Sequence, residues 1–275
     1  MGTLGKRTLF GLLFTAVVVG CLLTPWTLLL LVGFLCVALS HEFYRLTVEH
    51  RFRKEKAGVI LGSIAVLVLL FLHFQCGLPV LYLALGVLPV MASSIILLFD
   101  AAENHEFPSA VYFPLLYITL PLAAFLLLAW PGGAFSWRLT LGLMVMIWFN
   151  DIGAYVIGMS FGQRPDSRKL FPALSPKKSW IGVVGGTLFT FLAAWAVWTL
   201  FGSPILPLAH WFVLALIVSV FGVFGDLFES LIKRHAQVKD AGNLIPGHGG
   251  LLDRFDDVLF VLPLAALYLL MCSLL

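Results

Sequence analysis

The chain has 275 residues, of which 61% are hydrophobic and 11% are charged, with 17 basic and 14 acidic residues. An ordinary soluble domain carries about 25% charged residues, so this composition excludes a water-soluble globular protein. Apolar runs of about 20 residues recur along the sequence, long enough for a helix to cross a hydrocarbon core of about 30 Å. Backbone polar groups in lipid must bond within their own segment. The sequence therefore predicts an all-α polytopic integral membrane protein.

The apolar runs predict nine membrane-spanning helices, which follow one another at residues 8–24, 26–44, 57–74, 78–99, 110–130, 137–158, 181–201, 207–232 and 256–275. We expect residues 1–136 to form an N-terminal transmembrane scaffold of five spans. Residues 137–275 are expected to form a catalytic region of four spans, with polar loops at residues 159–180 and 233–255.

The basic residues predict an orientation, because Lys and Arg favour the cytoplasmic side of a membrane. With nine spans and a cytoplasmic N-terminus, every Lys and Arg except Arg138 falls in a cytoplasmic segment. We therefore expect the N-terminus and both polar loops to face the cytoplasm and the C-terminus to lie outside. The chain would then reside in the cytoplasmic (inner) membrane.

The scaffold is apolar apart from two short polar segments. His41, Glu42 and Arg45 lie at the end of the second span, and an acidic loop runs from Asp100 to Glu106. Polar and aromatic residues are common where helices leave a bilayer. We therefore interpret both segments as interfacial caps.

The eighth span carries a polar stripe. Asp226, Glu229, Ser230 and Lys233 are spaced so that all four lie on one helical face. An ionisable residue at the middle of a bilayer costs about 2.5 to 3.5 kcal/mol, so the stripe indicates a cavity that holds water or a ligand. The alternative is an ion pair between Glu229 and Lys233 that only stabilises helix packing, which leaves Asp226 unexplained.

The loop after this span combines glycines with charged residues. Three glycines between residues 247 and 250 allow backbone N–H groups to approach an anion closely. Asp253, Asp256 and Asp257 follow as the last span begins. Carboxylate oxygens are ligands that Mg²⁺ prefers, together with phosphates and water. The alternative is a solvated loop and an acidic first turn that the helix dipole favours.

A second polar block lies at the end of the sixth span and in the following loop. Asp151 is at membrane depth, Gly153 and Gly158 permit close helix contact, and Lys177 and Lys178 precede the seventh span. The alternative reading of the two lysines is a topology signal. Together the blocks offer carboxylates and cations on one side of the membrane, which suits a phosphorylated, metal-bound substrate beside lipid.

These groups suit a lipid phosphate monoester that attacks a nucleoside triphosphate. The attacking phosphate is already ionised near neutral pH, so no activated serine or cysteine is needed. The difficulty is to bring two polyanions together and to stabilise the leaving pyrophosphate, which metal ions and fixed cations do. The sequence contains no Walker loop and no His-Glu-x-x-His motif.

The same residues resemble the signature of the phosphatidate cytidylyltransferases, also called CDP-diacylglycerol synthases. The run from Ser230 to Asp256 carries the resemblance most specifically. The N-terminal half is similar to that family only in hydropathy and in residues 42–46. Shorter similar segments of the C-terminal half lie at 151–155, 161–162, 175–180 and 225–230.

The resemblance implies transfer of CMP from CTP to phosphatidic acid, giving CDP-diacylglycerol and pyrophosphate. It implies a homodimeric membrane protein that uses Mg²⁺, with K⁺ as a candidate assisting ion and no nucleic acid as partner. By position it assigns the metal to Asp226, Asp253 and Asp256, and catalysis to these three together with Lys233. It assigns the CTP phosphates to Lys177 and Lys178. The full set that it assigns to substrate binding is Asp151, Ser175, Lys177, Lys178, Ser230, Arg234, Lys239, Asp240, His248 and Arg254.

Four features depart from the family pattern. The family commonly has Thr or Ser in place of Ile152, Glu or Gln in place of Ile181, and a basic residue near Met159. The loop at residues 163–169 is also longer here. All four concern the second polar block, and therefore nucleotide or lipid selectivity.

Two other functions stay open at this point. One is a related CTP-dependent membrane enzyme, either a polyprenol kinase or a cytidylyltransferase for another lipid phosphate. The other is a cation-coupled transporter that would use Asp151, Asp226 and Glu229 as coupling carboxylates.

Overall fold

The computed structural model describes residues 3–48, 52–101, 109–164, 167–201, 205–244 and 249–275, and these are mostly helical. Each predicted span corresponds to one helix, and the predicted all-α fold is confirmed. The helices are α1 (Thr3–Leu22), α2 (Pro25–Thr47), α3 (Arg53–Cys76), α4 (Val87–Ala101), α5 (Leu120–Leu128), α6 (Trp137–Phe161), α7 (Trp180–Phe201), α8 (Leu208–His235) and α9 (Leu252–Met271).

Seven helical segments within the described ranges are long and apolar enough to cross a membrane. Two of these segments begin before the α-helix that they contain. A 3₁₀ turn at Val80–Gly86 leads into α4, and a π turn at Leu115–Thr119 leads into α5. In α1 the apolar part is the shorter stretch Phe10–Leu22. The helix α9 has 20 residues but begins with four charged residues in its first six. The chain is a polytopic membrane protein.

Local sequence signals explain where α2 and α3 begin and end. Thr24 caps α2, because its Oγ1 accepts a hydrogen bond of 3.3 Å from the backbone N–H of Thr27. Pro25 follows at the first helical position, where a missing N–H costs nothing. Gly77 ends α3 with a φ of +70°, a left-handed conformation that glycine adopts without steric penalty.

A short β-hairpin lies within the predicted loop 159–180. Strand β1 (Lys169–Phe171) pairs antiparallel with β2 (Ser175–Ser179), so that Lys169 faces Ser179 and Phe171 faces Ser175. These strands were not predicted from the sequence. They have three and five residues, too few for a clear alternation of apolar and polar residues.

The chain divides into two compact units. The N-terminal unit consists of Met1–Phe135 and Val238–Arg254, and the C-terminal unit of Ser136–Gln237 and Phe255–Leu275. The loop between α8 and α9 therefore groups with the N-terminal helices. The functional division into scaffold and catalytic region stays a prediction.

Aromatic rings and glycines pack the N-terminal unit. The ring of Phe71 lies 5.0 Å from that of Trp26 and 5.6 Å from that of Trp130, between ring centroids. Helices α3 and α4 approach closely at Gly62, where an added Cβ would lie 2.5 Å from the side chain of Val90. Most of the predicted acidic loop from Asp100 to Glu106, namely residues 102–106, lies outside the described residues.

Small residues pack α6 against α7 in the C-terminal unit. A Cβ added at Gly153 would lie 2.7 Å from the carbonyl oxygen of Gly185, and Gly158 lies opposite Gly182. The predicted close helix contact through Gly153 and Gly158 is confirmed. It brings the polar end of α6 beside the hairpin that precedes α7.

Candidate functional site

Three carboxylates of the C-terminal unit meet where α8 and α9 approach each other at Gly225. Asp226 in α8 and Asp256 and Asp257 in α9 each offer an oxygen, and these oxygens lie within 4.8 Å of one another. Gly225 allows this approach, because a Cβ there would lie 2.5 Å from the carbonyl oxygen of Asp256. The predicted pair of Asp226 and Asp256 is thus brought together, and Asp257 joins it.

Asp151 on α6 is the fourth member of this acidic cluster. Its carboxyl group interacts with that of Asp257 and lies within electrostatic range of Asp256. Asp257 is 7% exposed, and its Oδ1 has no hydrogen-bond partner. Burying a charged group without compensation costs several kcal/mol. A cluster of four carboxylates with such an oxygen is therefore suited to a cation with oxygen ligands.

One cation from the hairpin reaches this cluster. Lys178 in β2 forms an ion pair with Asp226 through Nζ and Oδ2. Ser230, one turn beyond Asp226 on α8, donates a hydrogen bond of 3.4 Å from Oγ to the Oδ1 of that carboxylate. Two residues assigned to substrate binding thus contact a residue assigned to the metal.

Lys233 forms a different pair. Its Nζ contacts the Oε2 of Glu229, a buried residue one turn earlier on α8. This is the ion pair that the sequence analysis considered as an alternative. The pair joins Glu229 to Lys233, whereas Asp226 belongs to the acidic cluster. The assignment of Lys233 to catalysis stays a prediction.

Hydrogen bonds to Gln163 and Arg234, which lie outside the strands, hold the hairpin. Gln163 donates from Nε2 to the carbonyl oxygen of Lys177 at 3.0 Å, and Lys169 donates from Nζ to the Gln163 Oε1 at 3.2 Å. Arg234 at the end of α8 donates from Nε to the carbonyl oxygen of Leu174 at 3.5 Å. Gln163 was not among the predicted site residues, because a glutamine that binds a backbone carbonyl leaves no motif.

The two lysines of the hairpin differ in their surroundings. The side chain of Lys177 is exposed, while that of Lys178 is half-buried against Asp226. Ser175, which begins β2, is half-buried and paired with Phe171. The hairpin therefore presents one lysine to solvent and one to the acidic cluster.

The glycine-rich loop of the N-terminal unit binds carboxylates of the protein itself. The Oδ2 of Asp253 accepts hydrogen bonds from the backbone N–H groups of Ala241 at 2.9 Å and Gly250 at 2.8 Å. The next two N–H groups, of Leu251 and Leu252, donate to Glu42. The anions that these N–H groups approach are thus Asp253 and Glu42.

The remaining predicted residues lie in the same loop or in the first turn of α9. Lys239, Asp240 and Arg254 have exposed side chains in the N-terminal unit. His248 lies outside the described residues. Their assignment to substrate binding, and that of Asp253 to the metal, stay predictions.

Comparison with known proteins connects this arrangement to a family. The sequence profile described as the cytidylyltransferase family matches residues 5–272. A phosphatidate cytidylyltransferase of Thermotoga maritima is 32% identical over 270 residues, which are 96% of each chain.

Two other relatives align over a shorter stretch. The phosphatidate cytidylyltransferase of Bacillus subtilis is 46% identical over 119 residues, 43% of this chain and 42% of the relative. That of Staphylococcus saprophyticus is 41% identical over 126 residues, 46% of each chain. In these two alignments the chain spans somewhat less than half of the relative. Because the profile covers nearly the whole sequence, the chain belongs to the cytidylyltransferase family.

Proposed function

We propose that the protein transfers CMP from CTP to phosphatidic acid, giving CDP-diacylglycerol and pyrophosphate for phospholipid biosynthesis. A phosphate oxygen of phosphatidic acid bonds to the α-phosphorus of CTP, and the bond between the α-phosphorus and the bridging oxygen breaks to release pyrophosphate. Family membership over residues 5–272 and relatives named phosphatidate cytidylyltransferase support the substrates. The observation that carries the chemistry is the acidic cluster with Lys178 paired to it, inside a polytopic membrane protein.

The acidic cluster fits Mg²⁺. Asp226, Asp256 and Asp257 offer oxygen ligands close together, and the buried Oδ1 of Asp257 without a hydrogen-bond partner supports a cation there. When bound, Mg²⁺ neutralises phosphate charge and stabilises the pyrophosphate that leaves. Asp253 is a further candidate ligand, although its Oδ2 already accepts two backbone hydrogen bonds. A role for K⁺ stays a prediction.

The cations of the C-terminal unit have distinct proposed tasks. Lys178 binds the phosphates of CTP beside Asp226, and Lys177 adds positive charge from the exposed side of the hairpin. Ser230 orients the Asp226 carboxylate through its hydrogen bond. Because a phosphate monoester is already ionised near neutral pH, the reaction requires positioning and charge neutralisation rather than a strong general base.

We place the site on the cytoplasmic face of the inner membrane. The distribution of Lys and Arg supports this orientation, since Arg138 alone lies outside the cytoplasmic segments of the nine-span arrangement. CTP is then available to the site from the cytoplasm, and phosphatidic acid from the bilayer. A homodimer is proposed on the family resemblance alone.

A pyrophosphate-release assay tests the proposal. The purified full-length protein is incubated in detergent with CTP and phosphatidic acid, with and without Mg²⁺. We expect pyrophosphate release that requires both substrates and the metal ion. No release under any of these conditions would overturn the proposed function.

A further inference from the structure

Glu42 lies at the polar end of α2, where the sequence alone indicated an interfacial cap. Its side chain is buried, with 6% exposed. The Oε1 accepts a hydrogen bond of 3.0 Å from the backbone N–H of Leu251, and the Oε2 accepts one of 2.7 Å from that of Leu252. Both carboxylate oxygens thus bind consecutive N–H groups where α9 begins.

We infer that Glu42 is a positioning residue for the transfer reaction, because it fixes the start of the helix that carries Asp253, Asp256 and Asp257. The inference rests on the proposed function. The first N–H groups of a helix have no partner within the helix. They are normally satisfied by a side chain one to three residues away. Here the acceptor is 209 to 210 residues away, so the start of α9 is tied to α2.

The charge of Glu42 suits this task. A carboxylate near the N-terminus of a helix is stabilised by the helix dipole, and hydrogen bonds to a charged acceptor are stronger than those between neutral groups. With two oxygens bound to two adjacent N–H groups, the carboxylate fixes both the position and the rotation of the first turn. Asp253 lies in that turn, one residue beyond Leu252.

Two glycines of the loop leave room for the Glu42 carboxylate. A Cβ added at Gly250 would lie 2.8 Å from the Oε2 of Glu42 and 2.5 Å from the backbone nitrogen of Gly242. A Cβ added at Gly242 would collide with the Oε1. Glycine is needed at both positions because the carboxylate and the loop backbone are in close contact.

Arg45 adds a second attachment one turn along α2. It donates from Nη2 to the carbonyl oxygen of Ala241 at 2.7 Å. The N–H of Ala241 in turn donates to the Oδ2 of Asp253. Helix α2 therefore holds the loop at Ala241 through Arg45 and at Leu251 and Leu252 through Glu42.

Glu42→Gln tests the inference, with Glu55→Gln as the matched control. Glutamine keeps the size of the side chain but offers one acceptor and one N–H₂ donor to two N–H groups. Glu55 is another buried glutamate of the N-terminal unit, 0% exposed, and neither of its carboxylate oxygens has a hydrogen-bond partner. The control therefore removes a buried charge without altering the start of α9.

Two readouts are taken on the full-length protein in detergent. Hydrogen exchange, followed by mass spectrometry on peptides that cover residues 250–255, reports on the contact itself. Steady-state kinetics with CTP and phosphatidic acid report on the reaction. For Glu42→Gln we expect faster exchange and a kcat lower by about 10- to 100-fold, as for groups that orient metal ligands, with the KM for CTP nearly unchanged.

The outcomes separate the two claims. Faster exchange with an unchanged kcat would overturn the positioning role and leave the proposed function intact. An equal loss of kcat in Glu55→Gln would mean that Glu42→Gln acts by general destabilisation, and it would overturn the inference. A wild-type protein without CTP turnover would overturn the proposed function, while the exchange readout would still test the contact.

A second pair of variants covers the case in which Glu42→Gln does not fold. Gly242→Ala displaces the carboxylate from the opposite side, and Gly33→Ala is its control, because a Cβ at Gly33 on α2 meets nothing within 4 Å. We expect Gly242→Ala to lower kcat and Gly33→Ala to leave it unchanged. If Gly242→Ala retains the wild-type kcat, the inference is wrong.

Discussion

Lys178 in β2 and Asp226 in α8 form an ion pair within the C-terminal unit. The pair joins the basic hairpin to the acidic cluster, so that a candidate ligand for CTP phosphate touches a candidate ligand for Mg²⁺. Phosphoryl and nucleotidyl transfer rely on positioning and charge neutralisation of this kind. The pair therefore brings the polar stripe of α8 into contact with the hairpin.

We predict that Lys178→Ala mainly raises the KM for CTP. A hydrogen bond to a charged group contributes about 1.5 to 3 kcal/mol, so the expected increase is about 10- to 100-fold. Lys177→Ala should raise the KM less, because the Lys177 side chain is exposed. The measurement is the initial rate at varied CTP and saturating phosphatidic acid. An unchanged KM for CTP in Lys178→Ala would mean that this lysine serves only as a topology signal.

Asp257→Asn tests whether the third carboxylate of the cluster binds the metal ion. We expect a higher Mg²⁺ concentration for half-maximal activity, by about 10- to 100-fold, since one charged oxygen ligand is lost. Binding of Mn²⁺, followed by electron paramagnetic resonance, gives a readout that does not depend on turnover. Asp226→Asn should abolish turnover altogether. An unchanged Mg²⁺ requirement in Asp257→Asn would remove Asp257 from the metal site, and full activity of Asp226→Asn at saturating Mg²⁺ would remove Asp226.

Asp253→Asn distinguishes the predicted metal binding by Asp253 from its hydrogen bonds to the loop. The amide oxygen of asparagine can still accept the hydrogen bonds that Ala241 and Gly250 donate to the Asp253 Oδ2. The loop contacts therefore survive the substitution, while a charged metal ligand does not. We predict loss of turnover with normal membrane insertion, measured on purified membranes. Retained activity would restrict Asp253 to holding the loop.

Gly225→Ala should disturb the acidic cluster without changing a charged residue. Its Cβ would lie 2.5 Å from the carbonyl oxygen of Asp256, which is backbone and cannot rotate away. Overpacking of this kind costs about 1 to 3 kcal/mol, so we expect a lower thermal midpoint together with a loss of activity. Gly20→Ala is the control, since nothing lies within 4 Å of a Cβ there. Wild-type activity in Gly225→Ala would contradict the close approach of α8 and α9.

The helices were predicted well from the sequence, because their apolar runs are long and backbone groups in lipid must bond internally. It also placed Asp226 and Ser230 on one face of α8, and the structure joins them by a hydrogen bond. The pairing of Lys233 with Glu229 followed from their spacing of four residues. These features depend on contacts within one helix.

Features that depend on contacts between distant segments escaped the sequence. The sequence named Asp257 beside Asp253 and Asp256, but its place next to Asp226 depends on Gly225, which lets α8 approach α9. Glu42 binds the start of α9 across about 210 residues, so no periodic pattern connects the two. The ion pair of Lys178 depends on a hairpin whose strands are too short to leave a sequence signal.

The position of the label from CTP tests the central claim most directly. The protein in detergent with phosphatidic acid and Mg²⁺ is given CTP labelled either at the α-phosphate or at the γ-phosphate, and the extracted lipid is counted. Nucleotidyl transfer predicts that the α-label enters the lipid and the γ-label leaves as pyrophosphate. Label from the γ-phosphate in the lipid would identify a kinase and contradict the proposed reaction.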